Sequence, residues 1–364
     1  MKGVYIAAID YSKKEYFGVY KKIEGQIKAF NELNFDIDSI LIKDSKIIIN
    51  NNVIDRKLSK PWYSGFHKLL LKEYKGLLLK YEFVYIRFSR NDINFLRLLR
   101  YLSANNIKVI VEIPTYPYDK EFDYNFKQSI YRIVDKYVTK NMYKYTYRIA
   151  TTNSLDKIYN IDTIQIRNGV DTDSINITSS IKNNDVINFV GIANLSKWHG
   201  YDRMINGLSN YYKDKRINKE IHFYVIGEGV EKENLIRLTN RLCLNNYVHF
   251  LGAKIGKELD RIVDDMHIGV SSLALFRAGG GHDPIKTKEF LAQGLPVIVG
   301  YNDKLVDMAL PYVIKVDECD EAIDFNYIIE RFNNIEYKNL EIRDYAEKML
   351  SWRLQMSKVV NLIR

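Results

Sequence analysis

Short apolar runs alternate along this chain with longer stretches in which apolar positions recur every three or four residues, a pattern that predicts strands separated by helices. In the first half GVYIAAI, DIDSILI, FVYIRF, KVIVEI and YRIAT read as strands. GVYKKIEGQIKAFNEL, FHKLLLKEYKGLLLKY, INFLRLLRYLSA and FKQSIYRIVDKYVTKNMYKY read as the helices between them. KIIINNNVI, after the second strand, predicts a small hairpin whose turn comes from Asn50 and its neighbours. The second half repeats the logic with VINFVG, HFYVIG, YVHFLG, HIGVSS and LPVIVG. Strands that are apolar on both faces and alternate with helices belong to parallel sheets, so the expected class is α/β with two Rossmann-like domains. IRNGVDTDSI, with Asn168-Gly169 as a turn, marks the link between them.

The most informative stretch begins at a glycine loop. Gly279, Gly280 and Gly281 allow a ligand close to the backbone, and Pro284 suits the first position of a helix. The amides of Ile285, Lys286 and Thr287 would then point outward at the positive end of the helix dipole, worth about half an elementary charge, and Lys286 adds a whole one. His282 and Asp283 belong to the same loop. Glu289 falls about one turn inside the helix, where an ionised carboxylate can accept two hydroxyls. Gly294 ends the helix, and Pro296-Val297-Ile298-Val299 reads as a buried strand. That order suits a diphosphate ligand; an ordinary helix after a glycine-rich loop is the alternative, with Glu289 paired to Lys286, Lys288 or solvent.

GHDPIKTKEFLAQGLPVI resembles the donor-sugar motif of GT-B glycosyltransferases, especially the retaining family 4 type, whose pattern is E-x7-E followed by a small residue, Gly and a Pro-Val-Ile ending. Glu289 matches the second glutamate, and Gly281 stands where the first would be, so the chain is similar to the variant that keeps P-x-K-x-x-E. The resemblance implies two Rossmann-like domains facing a central cleft. It places the acceptor-binding domain at 1–168 plus a returning helix at 345–364, and the donor domain at 169–344. VGIANLSKWHGYDRMINGL resembles the family's first strand-loop-helix of the donor domain, with Asn194 in the place of its arginine and His199 in that of its lysine. Lys197 is the local replacement for a phosphate, or a solvated loop lysine. In the resembled family the turn holding Gly227 and Gly229 lies near base and ribose, and the stretch with Lys254 lines the base; each also reads as an ordinary turn or surface residue. Gly18, at the first helix, resembles the family's first glycine loop, or is simply a turn residue.

Glu112, Tyr116 and Asp119 sit in EIPTYPYDKE beyond the fourth strand, the end of an open sheet where ligands bind, and are candidate contacts for sugar or acceptor, with a merely structural role for the two carboxylates as the alternative. Glu112 and Tyr116, with Lys286, are the candidate catalytic set. Arg87 and Arg90 close the third strand and are candidate acceptor-phosphate contacts, or surface residues. Asp171-Thr172-Asp173 mimics a metal-binding Asp-x-Asp, but it belongs to the interdomain turn; no metal or other cofactor is expected, since a lysine and a helix start can neutralise a diphosphate.

Charge divides unevenly. Residues 1–170 hold 29 Lys and Arg against 18 Asp and Glu, and the remainder 25 against 27. A basic first half favours an anionic surface or acceptor, either a membrane leaflet with lipid-linked phosphates or a nucleic acid, with a plainly solvated surface as the alternative. Nucleic acid is not the expected partner, because no binding motif accompanies the charge. Trp62 to Tyr81 combines aromatic, leucine and lysine positions and reads as a sheet-covering helix, with peripheral contact to an anionic membrane as a secondary reading. Cys243 and Cys319, far apart, support neither a disulfide framework nor a zinc site, so the cytoplasm, including the inner face of the cell membrane, is the expected place.

The expectation is a glycosyltransferase that moves a sugar from a nucleoside diphosphate sugar, UDP among the candidate carriers, to a hydroxyl of a glycan or lipid-linked acceptor. The resemblance suggests retention and bacterial surface polysaccharide synthesis. A sugar-nucleotide epimerase of the same fold and a non-catalytic anion-binding subunit are the alternatives.

Overall fold

The computed structural model describes residues 1–13, 16–58, 62–89, 92–118, 126–179, 185–214, 219–279, 284–336 and 338–364, with the side chains at 17, 55–57, 62–64 and 126–131 outside that description. The chain divides into two compact units, Met1–Asn168 with Trp352–Arg364, and Gly169–Ser351.

The first unit is built on β1 (Lys2–Asp10), β2 (Asp36–Lys43), β3 (Lys46–Ile49), β4 (Asn52–Lys57), β5 (Phe83–Arg87), β6 (Lys108–Ile113), β7 (Arg148–Thr151), β8 (Lys157–Ile158) and β9 (Ile161–Gln165). They lie in the order β4-β3-β2-β1-β5-β6-β7-β9-β8. β1, β2, β5, β6, β7 and β9 are parallel, while β3, β4 and β8 join antiparallel at the edges. Asn50 and Asn51 turn the β3–β4 hairpin with φ of 49° and 66°, the left-handed pair that a two-residue turn demands and asparagine tolerates. The short β8–β9 hairpin had no counterpart in the hydrophobic pattern.

Both faces of this sheet are covered, which is why its strands are almost continuously apolar. Val4, Ile6, Val84 and Val111 point to one face, against α2 (Trp62–Glu73), α4 (Ile93–Ala104) and α5 (Phe126–Met142), with the one-turn α3 (Lys75–Leu78) following α2. Tyr5, Phe83 and Ile110 point to the other, against α1 (Phe17–Glu32) and α12 (Trp352–Ile363). Strand alternation thus assigns neighbouring residues to opposite layers. The helix starts are specified locally as well. Asp92 accepts from the Phe95 amide at 2.8 Å and caps α4, satisfying a first-turn N–H that the helix itself cannot.

The second sheet comprises β10 (Val186–Ile192), β11 (Glu220–Ile226), β12 (Val248–Gly252), β13 (Ile268–Val270), β14 (Val297–Val299) and β15 (Val313–Lys315), all parallel, in the order β12-β11-β10-β13-β14-β15. The intervening helices are α6 (Tyr201–Lys213), α7 (Lys232–Arg241), α8 (Gly256–Asp264), α9 (Lys286–Ala292), α10 (Phe325–Asn333) and α11 (Asn339–Tyr345).

The terminal segment, read from sequence as one helix from 345, is broken. A π-helical turn over Ala346–Leu350 ends at Ser351, which adopts extended backbone and bridges Val170, whose amide donates to Leu350 O at 2.9 Å. Tyr345 stays with the second unit, its hydroxyl accepting from the Asp307 amide at 2.9 Å. Only from Trp352 does the chain join the first unit, where the Trp352 ring occupies the room left by Gly25 on α1; a Cβ at Gly25 would lie 2.3 Å from it. Trp352→Ala should therefore cost the first unit about 3–5 kcal/mol, as deletion of a buried tryptophan does, measurable as an earlier urea transition by circular dichroism.

Candidate functional site

In the second sheet the chain runs from β10 outward through β11 and β12, then returns to place β13 on the other side of β10. Connections leaving the C-terminal ends of these two central strands diverge, and in open parallel sheets that point is where ligands bind. Beyond β10 comes the turn Lys197–His199; beyond β13 comes the segment that leads to α9. The two are tied together. The Leu273 and Ala274 amides donate to His199 O at 2.9 Å and Trp198 O at 3.2 Å. Arg277 makes a two-pronged bond to Asp202 at 2.8 and 2.9 Å, reaches Lys197 O at 3.0 Å and Asp320 at 2.7 Å, and has its pKa raised by these partners, Asp202 first. Nothing in the sequence had marked Arg277, because its three partners are distant in the chain.

α9 is held from below. Thr287 is fully buried, its Oγ1 2.8 Å from Ser271 Oγ and 2.7 Å from Tyr301 Oη. Lys288 is equally buried and donates to Asp303 at 3.2 Å and to Pro284 O at 3.2 Å. Asp303 in turn accepts the amides of Leu305 at 2.8 Å and Val306 at 3.1 Å. Two expectations are corrected here. Lys288 is no solvated partner for Glu289, and the Thr287 side chain faces the core, leaving only its amide for a ligand. Helical spacing puts Lys286 and Glu289 on the opposite, open face, joined by a 2.7 Å ion pair with 35% and 22% of the side chains exposed.

His199 completes the group. Its Nδ1 lies 3.1 Å from both the Ser196 amide and the Ser196 carbonyl, so a neutral ring accepts from the former and a protonated ring donates to the latter. Burial pushes its pKa down to about 4, and the Lys286 charge pushes the same way, against the Ser196 hydrogen bond. Lys286 is thus within electrostatic reach of the imidazole, which stays neutral near pH 7. Asn194 and Lys197 are exposed on the same connection.

Gly227 and Gly229 follow β11 with φ of 134° and 151°. A Cβ at Gly227 would fall 1.8 Å from Ala193 O, and one at Gly229 2.3 Å from Leu195 O, so these glycines let the loops beyond β10 and β11 touch. Lys254 is ion-paired with Glu258 on α8. Ile285 is the half-buried N-cap of α9.

In the first unit Gly18 opens α1 without a positive φ, and a Cβ placed there would meet no atom of the described residues within 4 Å. Arg87 and Glu112, read separately as acceptor and sugar contacts, are paired with each other at 2.6 Å and are 6% and 2% exposed. Gln26 donates to Glu112 at 3.2 Å, and Tyr5 bonds both Gln26, at 2.6 Å, and Glu112, at 3.2 Å. This network of an ion pair and its hydrogen bonds lies between sheet and α1, so the surface alternative for Arg87 is corrected, and Glu112 has the structural partners of its alternative reading. Tyr116 is half-buried edge-on against Tyr159, ring centroids 5.5 Å apart. Arg90, Asp119, His282 and Asp283 lie outside the described residues. Asp171 and Asp173 sit at the turn Thr172–Ser174 of the junction.

No family model matches the sequence, and no curated protein does. Solved structures match along the whole chain. A pneumococcal O-GlcNAc transferase, GtfA, in complex with UDP and GlcNAc is similar at a TM-score of 0.59 and 11% identity, over 100% of this chain and 99% of that one. The catalytic domain of starch synthase IV from Arabidopsis thaliana, bound to ADP and acarbose, is similar at 0.59 and 12%, over 100% and 98%. The lipopolysaccharide outer core galactosyltransferase WaaB gives 0.58 and 12%, over 100% and 99%. The fold is GT-B. In this GT-B chain the open group at the second sheet's switch point is Lys286, Glu289, His199 and Lys197, and the buried group beneath it is Thr287, Lys288 and Asp303.

Lys288→Met leaves Asp303 buried without its cation and should destabilise the second unit by about 3–5 kcal/mol; a loss under about 1 kcal/mol in urea unfolding would show that the pair does not anchor α9. The unfolded His199 protonates near its ordinary 6.5 and the folded one near about 4, so its contribution to stability is complete above the first value and is lost as pH falls through this window. Between pH 7 and pH 5 the melting temperature of His199→Asn should therefore fall less than that of the unaltered chain, as thermal unfolding at both pH values will register.

Proposed function

We propose that this chain is a glycosyltransferase that takes a sugar from a nucleoside diphosphate sugar and passes it to an acceptor hydroxyl, with the diphosphate held by the second unit. The observation that carries this reading is the convergence of Lys286, Glu289 and His199 at the switch point of a parallel sheet in a chain of GT-B fold. Similar chains hold UDP in one structure and ADP in another, which supports a nucleoside diphosphate without choosing its base.

Each residue has a role matched to its chemistry. Lys286, the first-turn amides of α9 and Lys197 receive the phosphates; Glu289 receives the ribose hydroxyls. Lys286 and Glu289 neutralise one another across their ion pair, so donor binding exchanges that pair for two contacts, ammonium to phosphate and carboxylate to ribose. The neutral His199 offers an N–H to a phosphate oxygen without adding a second full charge beside Lys286. Positioning donor and acceptor and stabilising charge on the departing diphosphate supply the rate, with no protein nucleophile required. In this reading the reaction retains anomeric configuration and needs no divalent ion, the acceptor is a glycan or lipid-linked hydroxyl handled by the basic first unit, and the setting is bacterial surface polysaccharide or glycoconjugate synthesis at the cytoplasmic side of the cell. Among the described residues no helix is long and apolar enough to cross a membrane.

Calorimetric titration with UDP, GDP, ADP and CDP in EDTA-containing buffer tests the site. One nucleotide should bind, Lys286→Ala should weaken it more than tenfold while barely affecting the matching nucleoside, and Glu289→Ala should weaken nucleotide and nucleoside alike. Unchanged affinity in both variants would overturn the assignment.

A further inference from the structure

Among the described side chains, the outer surface of α2, α4 and α5 is predominantly basic. Lys68 and Lys72 on α2, Arg97 and Arg100 on α4, and Lys136 and Lys140 on α5 are all exposed. These helices share one layer over the first sheet, since their buried sides, Phe66 and Leu70, Phe95 and Leu98, Val138 and Met142, fill a single core. The acids of the layer face inward: Asp92 caps α4, and Asp135 accepts from the Tyr118 hydroxyl at 2.9 Å. Among the described residues of the three helices, Glu73 is the one exposed carboxylate. On the other face of the sheet, by contrast, α1 exposes Glu24 and Glu32 along with Lys21.

Apolar side chains stand among these cations. Ile133 is 71% exposed and Tyr137, one turn on, 55%; Lys136 and Lys140 flank them on the same side of α5. A polyanion such as nucleic acid rewards the cations and stacks on aromatics, but gains nothing from an aliphatic side chain held out in water. A bilayer surface rewards both, taking Ile133 below the headgroups while the lysine stems run up its flanks to anionic phosphates.

We propose that this three-helix face docks the protein on an anionic lipid bilayer. The face takes in Lys68 and Lys72 of the amphipathic Trp62–Tyr81 segment, whose Phe66, Leu70 and Leu78 are committed to the core, and it draws its apolar contact from Ile133 and Tyr137 on α5. It stands apart from the transferase reading, because vesicle binding needs no sugar nucleotide.

Cosedimentation of the full chain with phosphatidylcholine vesicles, with and without phosphatidylglycerol, tests it. The chain should sediment only with the anionic vesicles and be released as salt is raised. At about fivefold per cation, replacing Arg97, Arg100, Lys136 and Lys140 together by Gln should weaken partitioning by about 10²-fold or more. Ile133→Ser alone should weaken it several-fold. Circular dichroism checks folding, and if the fourfold variant fails to fold, Lys136→Gln with Lys140→Gln should still weaken partitioning more than tenfold. Unaltered binding by these variants, or equal sedimentation with phosphatidylcholine alone, would overturn the proposal. Tighter binding to duplex DNA than to anionic vesicles at the same salt would overturn it in favour of nucleic acid.

Discussion

Lys288 is a lysine with no exposed side-chain surface, and the arrangement of the candidate site depends on how its charge is met. An ammonium buried this fully is tolerated only with a close counter-charge and further acceptors, and Asp303 and the Pro284 carbonyl provide them. Because one of those acceptors, Pro284, lies two residues ahead of α9 and the other lies beyond β14, the pair pins the start of a seven-residue helix to the strand end behind it. A helix so short has little stability of its own. Its first turn keeps its place because Thr287 and Lys288 are locked into the unit below, and that leaves Lys286 and Glu289 facing outward.

The connection beyond β10 is fixed by different means. Arg277 gathers Asp202, Asp320 and a backbone carbonyl, while Gly227 and Gly229 let neighbouring loops approach more closely than any side chain allows. The outcome is a neutral His199 beside a charged Lys286. Asn194 carries no charge and His199 is neutral, whereas Lys286 and Lys197 are full cations.

The first unit divides its polar residues differently. Its buried Arg87, Glu112, Gln26 and Tyr5 satisfy each other between sheet and helix, a closed network with little left for a ligand. On the α2, α4 and α5 layer exposed cations outnumber exposed acids among the described residues, because Asp92 there serves as a cap and Asp135 as a hydrogen-bond acceptor inside the layer.

Period and composition by themselves determined the class of the fold, the principal strands of both sheets and the Asn50 hairpin, since a strand buried on two faces must be apolar throughout and a left-handed turn selects asparagine or glycine. They also singled out Lys286 and Glu289, whose spacing from Pro284 places them on one helical face. Partners far apart in sequence were beyond their reach. Arg87 looked like an acceptor contact or a surface residue, and Glu112 like a separate contact for sugar or acceptor, because pairing is a property of adjacent strands; Lys288 looked solvated because only the packing of α9 on β13 and β14 decides which side of the helix is inside. The break at Ser351 was equally hidden, for it is made by a bridge to Val170, and a helical pattern carries no record of the strand that interrupts it.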